Sequence, residues 1–444
     1  MKYKVGMVSL GCPKNQVDAE IMLKELHGAG YKLVEDAAMG DVAIVNTCGF
    51  IESAKAESIQ EILELAKLKA EGKIKAIVVT GCMAERYRDE VMNEIPEIDA
   101  VVSIGANKKI AEVVGSVLEG EKVKAFDENT NLNIDGERIL TTKPYYAYIK
   151  VAEGCDNCCS YCAIPMIRGK FRSRTIESVV GEAVTLSKKG VKELILVAQD
   201  TTRYGEDIYG TLALPKLLRE LCKVEGIEWI RLLYCYPERI TDELLEVMAQ
   251  EPKICKYMDI PLQHCNGEIL RSMNRTGDKE SLLSLLSKIR SKVQGITLRT
   301  TVMVGFPGET RKHFEELCEF VREAKFEKLG CFEWSAEEGT PAYDFPDRVS
   351  DKEKSRRQEV VMDEQSRVID SWCEEMQGRE LYVIAEGFDR LAECCFGRSC
   401  GEAPEIDGMI FFTTDGKKLT AGDIVKVKIT DSLGTDLIGE MIAE

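Results

Sequence analysis

The stretch EGCDNCCSYCAIPMIR, residues 153–168, constrains this chain more than any other. Cys155, Cys159 and Cys162 stand in it as C-x-x-x-C-x-x-C, a spacing at which one loop can fold three thiolates around a single metal centre. A structural zinc site closes with four ligands, usually paired cysteines or cysteine–histidine mixtures. Here three cysteines are regularly spaced, and the nearest histidine in sequence is His264. Two readings follow: a zinc loop without its closing ligand, or an iron–sulfur cluster held by three thiolates with one iron left open. The missing ligand favours the cluster, although cluster proteins usually supply four thiolates. Cys158 adjoins Cys159, breaks the spacing and reads as a bystander.

Residues 1–117 alternate strands and helices. The runs 5–10, 42–47 and 74–80 are short, apolar and rich in β-branched residues, which predicts buried parallel strands. After the first, Val17, Ile21, Leu23 and Leu26 mark a helix that Gly28 is placed to stop. Residues 54–68 predict a second helix, 86–93 a third, and 100–104 a fourth strand, together an open α/β sheet. Each of the first three strands ends beside a cysteine: Gly11-Cys12, Cys48-Gly49 and Gly81-Cys82. In an open parallel sheet the strand C-termini share one edge, where ligands bind, so these thiols are expected to converge. The flanking glycines let the backbone approach a bulky ligand. Three buried structural cysteines are the bland alternative. Coincident placement at three strand ends favours a second three-cysteine cluster. Residues 118–143 are mostly polar, rich in Asn, Asp, Glu and Gly, and read as a linker.

From 144 to 377 the pattern repeats strand then helix. Strands are expected at 146–152, 193–198, 229–234, 257–261, 297–304 and 329–334, with helices at 176–188, 214–223, 242–249, 280–292 and 311–324. Six such units predict a partial (βα)6 barrel whose strand C-termini carry the site. The Cys155–Cys162 loop follows the first strand. Other strand ends carry polar clusters: Gln199-Asp200 onward, Gln263-His264, and Gly305-Phe306-Pro307-Gly308-Glu309. Ordinary capping and turn chemistry is the competing reading for each of these. Residues 351–377 read as a long connecting helix. Residues 378–444 turn to short β-rich runs at 381–385, 409–412, 424–429 and 437–441, a small β-barrel.

The cysteine loop and its setting resemble the radical S-adenosylmethionine (radical SAM) superfamily. There the open iron binds the amino and carboxylate groups of SAM, and an electron from the cluster splits SAM into methionine and a 5′-deoxyadenosyl radical. SLGCPKNQVDAE, NTCGFIESAKAESI and TGCMAERY are similar to the three cysteine motifs of the methylthiotransferases, radical SAM enzymes with a second cluster in an N-terminal domain. The resemblance covers essentially the whole chain. It implies SAM and two 4Fe-4S clusters, held by Cys12, Cys48 and Cys82 and by Cys155, Cys159 and Cys162. It further implies SAM or substrate contacts from Tyr161, Arg168, Gln199, Asp200, Gln263 and Gly305. Arg172 and Arg174 would join Arg168 in pairing with carboxylates, with a solvated basic face as the alternative. The last domain resembles a TRAM domain, a type that often binds RNA. Here its acidic residues outnumber its basic ones, and aromatic stacking platforms are sparse.

Within the methylthiotransferases, GCPKN, NTCGFIESA, AQDTTRYG and DIPLQH are similar to the RimO branch, which acts on the β-carbon of an aspartate in small-subunit ribosomal protein S-twelve. The tRNA-adenosine (MiaB-like) branch is the alternative, and a zinc- or disulfide-stabilised binding protein the non-catalytic one. Charge bears on this choice. The net charge of −17 disfavours grip on nucleic acid through phosphates and suits a basic protein partner. An electron donor such as flavodoxin or ferredoxin is also expected. The start, MKYKVGMVSLGC, does not read as a signal peptide and no stretch is apolar enough to span a membrane, so the 17 cysteines are expected in a reducing cytoplasm, where clustered cysteines more often bind metal.

Overall fold

The computed structural model describes residues 3–442, so the outermost two residues of the first and last expected domains lie outside the described residues. The first sheet is six-stranded and parallel, in the order β2-β1-β3-β4-β5-β6. Its strands are β1 (Lys4–Ser9), β2 (Lys32–Val34), β3 (Val42–Thr47), β4 (Ala76–Gly81), β5 (Ala100–Val102) and β6 (Val123–Ala125). β3 and β4 are buried at every residue, as central strands covered on both faces must be. Alternate residues serve opposite faces. Ala43, Val45, Ile77 and Val79 pack on Ile62, Leu65 and Ala66 of helix Glu52–Ala70, while Val42, Ile44 and Val78 pack on Met22, Leu26, Val113 and Val117.

Three expectations need correction here. The stretch read as a linker contains β6, and β2 was not foreseen. Each is a three-residue strand in a charged setting, held by backbone pairing, with no apolar run to mark it. The helix expected over 86–93 is two helices, Cys82–Tyr87 and Asp89–Glu94, parted at Arg88 with φ 41°. No glycine marks that break. Instead Glu85 accepts from the Arg88 guanidinium at 2.8 Å and from the Ile104 N–H at 3.0 Å, fixing the bend.

The second sheet is also parallel. β7 (Tyr146–Lys150) opens it, and a short antiparallel ribbon, β8 (Ala152–Glu153) against β9 (Arg172–Ser173), closes the neck of the cysteine loop. β10 (Glu193–Val197), β11 (Trp229–Leu232), β12 (Ile254–Gln263), β13 (Thr297–Val304) and β14 (Lys328–Glu333) follow, ordered β14-β13-β12-β11-β10-β7. Six strands in sequence order with both edges open make the expected partial barrel. Helix Asp351–Met376 leads on to a closed barrel of five strands, β15 (Glu380–Asp389), β16 (Cys394–Arg398), β17 (Ile410–Thr413), β18 (Ile424–Leu433) and β19 (Asp436–Met441). Only four were expected. Gly397 and Arg398 break the apolar run of β16, but Gly397 gives its backbone room against the Ile384 carbonyl, and buried Arg398 pairs with Glu193 at 2.8 Å and Glu386 at 2.6 Å.

One apolar layer joins the first helix to both barrels. Val17 and Ile21 of helix Pro13–Gly28, Tyr148, Ile195 and Val197 of the central barrel, and Ile384 and Ala403 of the last domain share it. Among the described residues, no helix is long and apolar enough to cross a membrane.

Candidate functional site

The C-termini of three adjacent strands, β1, β3 and β4, bring Cys12, Cys48 and Cys82 to one edge. Cys12 leads into helix Pro13–Gly28, its carbonyl accepting from the Asn15 and Gln16 N–H groups at 2.9 and 3.1 Å. The Asn15 side chain then staples two strand ends together, donating to the carbonyls of Leu10 at 2.8 Å and Thr47 at 3.2 Å. Cys48 is held by Ser58, whose hydroxyl accepts from its N–H at 3.1 Å and donates to its carbonyl at 3.2 Å. The glycines are required by contact. A Cβ on Gly11 would sit 3.1 Å from the Cys48 Sγ, one on Gly49 2.7 Å from the Met83 backbone, and one on Gly81 2.4 Å from the Thr47 carbonyl oxygen.

The second triad lies on the loop between β8 and β9. Gly154, at φ 81°, leaves no space for a side chain: a Cβ there would lie 2.1 Å from the Lys170 carbonyl oxygen. The Cys155 N–H donates to the Gly169 carbonyl at 3.1 Å, and the Cys162 N–H to that of Cys159 at 3.0 Å. Ser160 ties the loop to the barrel, its N–H donating to the Met273 carbonyl at 3.0 Å and its hydroxyl to that of Ser272 at 2.7 Å. Cys159 is buried and Cys158 exposed.

A buried ionic seam connects the triads. Arg168 closes the short helix Ile164–Arg168, into which Cys162 leads, and donates to Asp18 at 2.5 Å, Asn15 at 3.2 Å and the Cys82 Sγ at 3.2 Å. Lys150 pairs with Asp18 and with Glu153, the latter at 2.6 Å. Cys82 itself packs on Ala163 and Ile167, so one face of this helix walls the first triad. Burial opposes the Cys12 thiolate, yet Lys14, Arg168 and the Asn15 and Lys14 N–H groups hold its pKa below the ordinary thiol value. Burial instead pushes Cys82 up to about 12 and Cys155 up to about 11. Thiols held up in this way would deprotonate on binding a metal.

The remaining expected contacts divide. Gln199 and Gly305 follow the C-termini of β10 and β13, and Gln263 ends β12, on the rim that also carries the cysteine loop. Gln199 donates to Glu153 at 2.5 Å and leaves its own Oε1 buried without a partner. Gln263 and Gly305 both have positive φ, 71° and 75°. Tyr161 packs beside Met273, Phe306 and Trp334. Asp200 spends its carboxylate within the rim, accepting from Asn157 at 2.9 Å, Arg239 at 3.0 Å and Thr202 at 2.7 Å. Arg168 is taken up by the seam. Arg174 is no solvated cation: it is buried against Glu182 at 2.5 Å and the Lys150 carbonyl at 3.0 Å. Arg172 reaches the Asn129 carbonyl at 3.3 Å. Sequence reasoning missed Lys14 and Tyr234, which meet beside Cys12, and Arg275, which stacks on Tyr236 beside Cys159. The one available signal was that Tyr234 sits just past the end of β11.

The donor sets fit iron–sulfur clusters: two groups of thiols on glycine-relieved backbone, with cations alongside. Among the described residues, no three such side chains close on a single metal ion.

Comparison with known proteins agrees with this architecture. Residues 4–103 match the uncharacterized protein family UPF0004, residues 149–321 the radical SAM superfamily, and residues 378–442 the TRAM domain. A protein of Desulforamulus reducens named ribosomal protein uS12 methylthiotransferase RimO is 49% identical, over 98% of this chain and 99% of its own. One of the same name from Clostridium kluyveri is 46% identical over 100% of this chain and 99% of its own. Among solved structures, the radical S-adenosylmethionine methyltransferase TsrM from Kitasatospora setae superposes with a TM-score of 0.59 at 14% identity, covering 77% of each chain, a likeness of fold.

Proposed function

The chain belongs to the RimO family of ribosomal protein uS12 methylthiotransferases, and from that membership we propose that it adds a methylthio group to the β-carbon of one aspartate of uS12. It is a radical SAM methylthiotransferase that uses SAM and 4Fe-4S clusters. We assign one cluster to Cys155, Cys159 and Cys162 and the other to Cys12, Cys48 and Cys82. The observation that carries this assignment is that Cys82 packs on the helix that Cys162 leads into. Two sites sharing a wall suit a reaction that needs a radical and a sulfur donor at one carbon.

That carbon's C–H bond has no useful acidity, so an acid–base pair would not serve. When bound, SAM and the cluster of the second triad supply the radical that takes the hydrogen, the first triad's cluster supplies sulfur, and a further SAM supplies the methyl group. The chain's own residues do the positioning. Gly11, Gly49 and Gly81 hold the strand ends close, and Arg168 fixes the Cys82 side against Asp18. Tyr161, Phe306 and Trp334 give the rim an apolar flank that keeps water from a reactive intermediate. We place SAM against Tyr161, Gln199, Gln263 and Gly305. Asp200 and Arg168 orient that site from behind.

The same reading locates the enzyme in the cytoplasm, with a flavodoxin or ferredoxin as electron donor, and puts domain boundaries near 143 and 377, with the first past β6 rather than at 117. The acidic chain favours the basic protein over the tRNA substrate of MiaB-like enzymes. The test offers uS12 and unmodified tRNA to one anaerobic preparation with SAM, reductant and a sulfur source. Mass spectrometry should find the methylthio group on one aspartate of uS12; methylthio-adenosine with uS12 untouched would transfer the chain to the tRNA branch.

A further inference from the structure

Along the seam between the first two domains, buried cations meet carboxylates. Arg168 meets Asp18, Lys150 meets Glu153, and Arg86 meets Glu337 at 2.7 Å. Lys14 differs. It is 7% exposed, and its ammonium lies 3.2 Å from the centre of the Tyr234 ring, with the Cys12 thiol and the Arg168 guanidinium as its other charged neighbours. A cation–π contact compensates a buried ammonium only in part, and among the described residues no carboxylate pairs with this one, which leaves the Cys12 thiol as its anionic neighbour. Arg168 already donates to a thiol of this triad, at Cys82.

Tyr234 is held in a costly conformation. Its φ of 61° is left-handed, unusual for a bulky residue. Two backbone bonds keep it there: its N–H donates to Asp259 at 3.0 Å, and its carbonyl accepts from the Thr201 N–H at 2.9 Å. The strain sets the ring at the end of β11, under the Lys14 ammonium, where the first domain faces the rim of the second.

We infer that Lys14, seated on Tyr234, grips the side-chain carboxylate of the target aspartate and so determines which residue is modified. The inference rests on the uS12 reading and deepens it. The carboxylate carbon is bonded directly to the β-carbon, so a cation beside Cys12 that holds the carboxylate places the reacting carbon one bond away, at the first triad. The same grip rejects an asparagine, which offers no charge. A role confined to neutralising the thiolates would leave this selectivity untouched.

The experiment uses the full cluster-loaded chain, as wild type, Lys14→Met and Lys14→Arg, with iron content measured for each. Equilibrium binding without reductant, and kcat/KM with it, are read on uS12 carrying either Asp or Asn at the target position. Wild type should prefer Asp by about tenfold or more in both, the scale of one charge-assisted hydrogen bond. Lys14→Met should keep its iron and lose the preference; Lys14→Arg should retain part of it. A preference that survives in Lys14→Met, or its absence in wild type, overturns the proposal. If Lys14→Met loses its iron, Lys14→Gln is read in its place, and a preference that survives there in an iron-loaded chain overturns the proposal equally. A wild type that neither binds nor modifies uS12 in either form removes the substrate reading, and this one with it.

Discussion

Gly81 shows how tightly single residues are specified at the first triad. Its φ is 91°, and a side chain would meet the Thr47 carbonyl oxygen at 2.4 Å and the Thr47 nitrogen at 2.6 Å. Neither atom can yield without parting β3 from β4. Gly81→Ala should therefore cost roughly 1–3 kcal/mol in denaturant unfolding and lower the iron bound by the first triad, measured per chain after anaerobic reconstitution. That Cys12, Cys48 and Cys82 meet at one sheet edge was legible, because strand-end positions follow from one dimension. Lys14 and Tyr234 were not: they are distant in sequence, and nothing local marks their meeting. Arg168 was read as pairing with carboxylates of SAM or substrate, whereas in the structure it pairs with Asp18 and Cys82, which come from another domain.

Among elements, the five-residue helix Ile164–Arg168 stands where the two triads meet: Cys162 leads into it and Cys82 packs against it. Replacing Cys155, Cys159 and Cys162 together with Ala should remove one of two clusters, halving the iron and ending SAM cleavage. The corresponding triple change at Cys12, Cys48 and Cys82 should still yield 5′-deoxyadenosine, read by chromatography, while methylthio transfer to uS12 disappears. Loss of cleavage in a folded variant that keeps its second-triad iron would contradict the division. Long elements read well from pattern, with helices Ile176–Lys188 and Arg311–Ala324 falling where periodicity put them. The strands β2, β6 and β16 did not, because backbone pairing, or a buried arginine with two carboxylates, replaces the apolar run that pattern reading needs.

For the whole molecule, the seam is the part that acid should open. Glu337 of the central domain faces Arg86 and Lys55 of the first, at 2.7 and 3.3 Å. Burial works against its charge, but Ser335, Arg86 and Lys55 hold its pKa below the ordinary 4.5. A group with a depressed folded pKa contributes its full stability above the unfolded value and loses it as pH falls through the folded one. Melting temperature of the chain before cluster loading should thus fall below about pH 4.5, and Glu337→Gln should flatten that part of the profile. Association with uS12 should weaken as salt rises, because the net charge of −17 acts through screened, exposed groups. The helix that Cys82 packs on has one more consequence, for modularity. Three domains with separate family matches look like exchangeable parts. Yet the first sheet takes a wall of its site from residues 163–168 of the second domain, and Asp18 its counter-ions from Lys150 and Arg168. A chimera that transplants the first domain onto another radical SAM barrel must carry the chain as far as β9 with it; one spliced in the linker inherits a site missing a side.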